Sequence, residues 1–156
     1  MATYSIIQLT KERLSPDEYI GEEFYYDNFV GVIADYVNDD VDRNNELKFF
    51  ERELGSAARF KSPDSFKIVD KKSFFRTAFS NFQENLRIMG IYTLEQFSGD
   101  IPSDIDFDFY KLRKSYSDKF GTYIEWEGGT VPIADFLRYA DTNTTYYVGG
   151  IINYHC

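Results

Sequence analysis

The spacing of apolar side chains along this chain changes period several times, and each change marks a predicted element. Thr3-Tyr4-Ser5-Ile6-Ile7-Gln8-Leu9 is rich in β-formers and predicts an opening strand. Ser15-Pro16-Asp17-Glu18 has the cap and first-turn proline of a short helix. Phe29, Val30, Ile33 and Val37 fall at helical spacing and predict a helix over 27–38, interrupted by Gly31. An acidic loop over 38–45 leads to a helix over 46–54, with Leu47, Phe50 and Leu54 inward and Gly55 as its stop.

Phe66-Lys67-Ile68-Val69 predicts a strand. It precedes the strongest helical signal of the chain, residues 73–89. Phe75, Ala78, Phe79, Phe82, Leu86 and Met89 form a continuous apolar stripe there, and Gly90 terminates it. This helix is expected at the centre of the fold, with Phe79 and Phe82 buried against an antiparallel sheet. Thr93-Leu94-Glu95-Gln96 has capping-box spacing. Residues 104–119 predict a helix ended by Gly121, although Ile105 to Phe109 also alternates like a strand. A hairpin follows over 122–133 around Glu127-Gly128-Gly129, with Pro132 placing its second strand at an edge or at the strand's own end. Then come a short helix over 133–139 and a last strand over 145–154, where Gly149-Gly150 suggests a bulge. Strands and helices do not alternate regularly, which predicts an α+β fold and not a doubly wound sheet. Residues 1–156 are read as a single acidic domain with mixed helices packed on a small, mainly antiparallel sheet.

Composition changes this picture in one respect. Fifteen Phe and thirteen Tyr dominate the apolar side chains, against two Met and one Trp. An aromatic core accounts for the Phe residues, whereas the Tyr surplus suits half-wet surfaces and interfaces. The lone cysteine, Cys156, has no internal partner, nothing resembles a signal peptide, and no apolar run approaches a membrane span. A cytoplasmic setting is the expectation.

Charge changes it further. The net charge is −9, and residues 17–54 carry twelve acids against three bases. Residues 55–98 reverse the balance, with four acids against seven bases. An acidic surface repels nucleic acid and anionic membrane and attracts a basic partner. One acidic face comprises Asp35, Asp39, Asp40, Asp42 and Glu46, with Tyr36 as an aromatic contact at its edge and Glu53 farther along. A second acidic patch comprises Asp104, Asp106, Asp108 and Tyr110, together with Asp100, Phe107 and Phe109. Carboxylates interleaved with rings steer a Lys/Arg-rich surface and offer desolvated contacts, and their spacing can imitate a phosphate row. The basic middle, with Lys61, Lys67, Lys71, Lys72 and Arg76 beside Phe60, Phe66 and Phe74, has the residue types of a nucleic-acid patch with stacking rings, but its excess is three charges in a chain at −9, so direct nucleic-acid binding is not expected.

Chemistry-bearing motifs are sparse. The Gly-Gly pairs lack phosphate-loop spacing, and the one histidine, His155, cannot form a zinc pair with another. His155 and Cys156 are adjacent, so on a strand they point to opposite faces. Residues 40–51 lay oxygen ligands at calcium-loop positions, with Asp40, Asp42, Asn44 and Glu51 at the first, third, fifth and twelfth places. Against that pattern, Asn45 stands where Gly is expected and Lys48 brings a cation to the ninth place. The expectation is a small acidic protein-binding module without catalytic residues or cofactor. Its expected role is to inhibit a nucleic-acid-handling enzyme such as a nuclease, as phage or mobile-element anti-defence proteins and toxin immunity proteins do. A calcium-responsive or structural interaction module is the alternative, and a carboxylate-based enzyme the third reading.

Overall fold

A computed structural model describes residues 2–156. The described chain forms strands β1 (Thr3–Thr10), β2 (Tyr36–Asn38), β3 (Ala58–Ser62), β4 (Ser65–Ile68), β5 (Tyr123–Trp126), β6 (Gly129–Pro132) and β7 (Tyr146–His155). Its helices are α1 (Arg43–Leu54), α2 (Lys71–Met89), α3 (Leu94–Phe97), α4 (Ile105–Tyr116) and α5 (Ile133–Tyr139). The α+β class follows directly. The sheet, however, is larger than expected: seven strands in the order β3-β4-β7-β1-β5-β6, with β2 also paired to β7. Every pairing is antiparallel except β1 with β5.

The chain divides into two units. One contains the described residues up to Phe74 together with Lys119–Cys156; the other is Phe75–Asp118.

In the first unit the sheet is organised by β7, which pairs with β1 on one side and with β4 and β2 at its two ends on the other. Between Ile7↔Ile151 and Leu9↔Val148 the register shifts, so Gly149 and Gly150 together face Gln8. The facing backbone requires glycine at Gly150, and Gly149 leaves Gln8 in its place. A Cβ on Gly149 would lie 2.4 Å from the Gln8 side-chain oxygen, and one on Gly150 would lie 2.6 Å from the Ile20 carbonyl. Gln8 Oε1 accepts the Gly150 amide at 2.8 Å and the Ile20 amide at 3.0 Å. Arg43, the first residue of α1, donates to the carbonyls of Val148 (2.9 Å) and Gly149 (2.5 Å) and lies over the Tyr19 ring.

The core is aromatic on both faces. Tyr25, Phe29, Tyr123 and Tyr154 pack edge to face around Ile6, Val37 and Ile152. α1 brings Phe50 against Phe60 and Phe66, and Leu47 and Leu54 are buried with it. The largest fully buried side chains are tyrosines 25, 146 and 154, so the Tyr surplus is in part a core device. Each finds a partner: Tyr154 donates to the Gly121 carbonyl at 2.6 Å, Tyr25 to Glu125 at 3.4 Å, and Tyr146 to the Asp141 carbonyl at 3.3 Å. The β5–β6 hairpin turns on Glu127 and Gly128, both with positive φ, as a two-residue primed turn requires. Pro132 sits on β6, an edge strand, where it removes no ladder bond.

Three expectations are corrected, and one strand escapes the sequence pattern. Residues 27–38 are not a helix. Gly31 takes φ 85°, the chain turns through a Val30↔Ala34 bridge, and Tyr36–Asn38 pairs with β7 instead. Local apolar spacing there is overridden by an available sheet edge. β3 escapes the pattern because Ala58-Arg59-Phe60-Lys61-Ser62 has few β-formers and is placed by its hairpin with β4. α2 forms at the expected place but is not the centre of the fold: no residue of it is buried. Phe79 is 58% exposed and Phe82 half-buried, because an apolar stripe records a face that favours burial, not one that its own chain covers. Among the described residues, no helix is long and apolar enough to cross a membrane.

Core truncation should follow this map. Phe66→Ala, at a fully buried site, is expected to lower stability by about 3–5 kcal/mol. Phe79→Ala is expected to change it by only about 0.5 kcal/mol. Arg43→Ala should cost about 2–3 kcal/mol by orphaning the two β7 carbonyls. Chemical denaturation of the three variants checks the ranking; equal losses at Phe66 and Phe79 would contradict the fold.

Candidate functional site

The first acidic face is built on the edge of the sheet in the first unit. β2 places Tyr36 opposite His155 and Asn38 opposite Asn153. Tyr36 is half exposed, and its ring stacks on His155 with centroids 4.3 Å apart. Asp35, Asp39, Asp40 and Asp42 are all exposed. The loop carrying them has local reasons for its shape: Asn38 Oδ1 accepts the Asp40 amide at 2.8 Å, and Asp42 caps α1 by accepting the Asn45 amide.

Tertiary structure adds residues that sequence reasoning does not find. The Asp39 amide donates to Glu22 at 3.1 Å, and the Glu22 amide returns a bond to Asp39 at 3.2 Å. This pair binds the turn at Glu22–Tyr25 to the acidic loop and brings Glu22, Glu23 and Tyr26 beside Asp39. The Tyr26 hydroxyl donates to Glu22 at 2.5 Å, holding that carboxyl below its ordinary pKa. Phe24 and Tyr26 are 44% and 51% exposed. The only sequence signal for this half of the face is the charge of Glu22-Glu23 itself.

Glu46 leaves the face. It is half-buried and turned toward the sheet, accepting from Ser5 Oγ at 2.7 Å and Asn153 Nδ2 at 3.4 Å. There it lines a cleft of about 610 Å³ between α1 and the sheet, with Ser5, Phe49, Glu53, Thr122 and Asn153. Glu53 lies two turns farther along α1 on the same side, about 10 Å along the axis. Although the residue has exposed surface, loss of solvent around the carboxyl raises its pKa, opposed by the hydrogen bond it accepts from Thr122 at 3.0 Å. The two acids differ in surroundings, with Glu46 fixed by two donors and Glu53 short of solvent. Such a cleft suits a cationic or hydroxyl-bearing group.

The other candidates come apart. The calcium-loop pattern does not form a loop, because α1 begins at Arg43 and carries Asn44 and Glu51 on its own exposed surface. A ligand loop must wrap around an ion, and nine of its twelve residues are helical here. Among the described residues, no group of three or more His, Cys, Asp or Glu side chains is placed to hold a metal ion. In the second patch Asp104 and Asp106 are exposed, and Tyr110 stacks with Phe107. Asp108 is buried, accepts from the Tyr92 hydroxyl and pairs with Lys111 at 3.1 Å, so it serves the unit's interior. The Tyr92 bond first, and Lys111 next, hold its pKa below the ordinary carboxylate range. The basic segment is taken up by structure in part, while Lys61, Lys72 and Arg76 remain exposed. Phe66 is fully buried with Phe60 against it, and Lys71 donates to the carbonyls of Arg138 and Ala140. Its rings do not make a stacking platform.

No protein-family model matches the chain, and neither a curated protein nor a solved structure does.

The raised pKa of Glu53 gives a signed prediction. Folding holds its proton more tightly, so this group favours the folded state at low pH and loses that contribution as pH rises through its folded-state pKa. Glu53→Gln keeps an acceptor for Thr122 without the charge. The variant should be more stable than the parent at pH 7, with the difference closing as pH falls below the ordinary carboxylate range. Thermal unfolding of both proteins against pH measures it; a variant less stable at pH 7 would show that the ionised form is the one favoured.

Proposed function

We propose that this protein is an acidic binding module that docks on the cationic surface of another protein, and that its partner handles nucleic acid. The observation that carries the reading is the assembly of exposed acids and exposed rings on one surface. Exposed Asp35, Asp39, Asp40, Asp42 and Glu23 and half-buried Glu22 share it with the exposed rings of Tyr36 and Tyr26. The charges speed encounter with a basic surface, and the rings supply area that can be desolvated on contact. A groove that binds a phosphate backbone presents the Lys/Arg surface such a face complements, and covering it blocks nucleic acid from entering. In this reading the protein inhibits its partner, as anti-defence and immunity proteins do, and it neither binds nucleic acid nor turns over a substrate.

The test is capture from host lysate at low and high salt, with binding rates then measured on the purified partner. The wild-type protein should capture a basic nucleic-acid-handling protein, with affinity falling as salt rises. The Asp35→Asn, Asp39→Asn, Asp40→Asn, Asp42→Asn variant should lose association rate, whereas Tyr36→Ala should raise the dissociation rate. Glu46 stays unchanged because it holds Ser5 and Asn153. Equal capture by the charge-stripped variant, or direct binding of DNA or RNA by the wild type, would sink the proposal.

A further inference from the structure

We propose that the second unit, Phe75–Asp118, is a self-association surface, and that two copies of the chain pair through antiparallel α4 helices. Three observations lead there. First, the unit has no apolar core of its own: Asp108 is its one buried residue. Second, it holds ten of the seventeen large apolar side chains that are exposed among the described residues. Leu94 and Phe97 are 74% and 77% exposed, and Phe107, Phe109, Tyr110 and Tyr116 are all more than half exposed. A surface this apolar marks an interface.

Third, charge identifies the occupant. The unit carries seven acids against five bases, so it holds only −2 of the net −9. A basic partner would be drawn to the other unit, which holds the remaining −7. Within α4 the charges are ordered: Asp106 and Asp108 in the first turn, Arg113 and Lys114 in the last. Asp106 and Arg113, both exposed, stand two full turns apart and therefore on the same side of the helix, with Phe109 and Tyr110 at the midpoint between them. A second α4 laid antiparallel across that midpoint sets each Asp106 against the other copy's Arg113. It brings the Phe109 and Tyr110 rings of both chains together and opposes the two helix dipoles. The surface is self-complementary, as a two-fold interface must be.

Sedimentation equilibrium of the full-length protein at rising concentration tests this. The wild type should run as a dimer that dissociates on dilution. Phe109→Asp should be monomeric while keeping the circular dichroism of the parent and the melting temperature that the parent shows when diluted to monomer, since the residue is exposed. Asp106→Arg alone and Arg113→Asp alone should each weaken the dimer by about tenfold or more. The D106R/R113D double variant, which restores both pairs with reversed sign, should recover it to within about threefold. A wild type monomeric at every concentration, leaving the surface to a different protein or to its own chain, overturns the proposal. So does a dimer that Phe109→Asp leaves intact, or a charge swap that fails to rescue.

Discussion

The first unit depends on how β7 is held at its bulge. Two glycines opposite one glutamine force the strand to bend, and a bend exposes backbone groups that the ladder can no longer pair. Three side chains and backbones meet that need. Gln8 takes the Gly150 amide and reaches on to Ile20, Arg43 takes the Val148 and Gly149 carbonyls, and the Asp64 carbonyl takes the Val148 amide at 2.8 Å. The bonds also organise the surroundings: Gln8 docks the segment after β1, Arg43 fixes the start of α1, and Asp64 sits in the β3–β4 turn. Helix α1 then covers one face of the sheet with Leu47, Phe50 and Leu54. Its cap, Asp42, is a member of the acidic face, so the same interaction that closes the bulge sets the position of the candidate site.

Tyrosine is the economical answer to a sheet whose rims must bond while its centre stays dry. Tyr25, Tyr123, Tyr146 and Tyr154 place rings in the core and hydroxyls at its margin, where Glu125, the Lys119, Asp141 and Gly121 carbonyls receive them. Burial pushes the Tyr25 and Tyr154 hydroxyls well above the usual phenol pKa, first by loss of solvent. They therefore stay neutral donors. Phe would fill the same volume and leave the loop carbonyls at Gly121 and Lys119 without these bonds.

The two units divide the surface chemistry between them. Most of the net charge and the acid-and-ring face belong to the sheet unit, whereas the helical unit is close to neutral and carries most of the exposed apolar side chains. Electrostatic and apolar recognition make opposite demands on a surface, since charge must stay hydrated until contact and apolar area is lost to water only on contact. Under the two proposals, the sheet unit would meet a cationic partner and the helical unit a like copy.

Local pattern by itself determined much of the element map. The β5–β6 hairpin, α5, the capped turn at Thr93, the Gly149-Gly150 bulge and the extent of α2 are set by turn residues, caps and spacing that act within a few positions. Only tertiary structure decided what those elements do. Residues 27–38 have helical spacing, yet the open edge of β7 claims Tyr36–Asn38 as a strand. The α2 stripe is a strong signal with no buried residue, because burial depends on what packs opposite and spacing cannot report it. Sequence marked Asp35, Asp39, Asp40 and Asp42 as a charged run; it could not show that Glu46 turns inward to Ser5 and Asn153, or that Glu22 joins through Asp39. Charge is a property of composition, but a face is a property of which distant segments hydrogen bonds draw together.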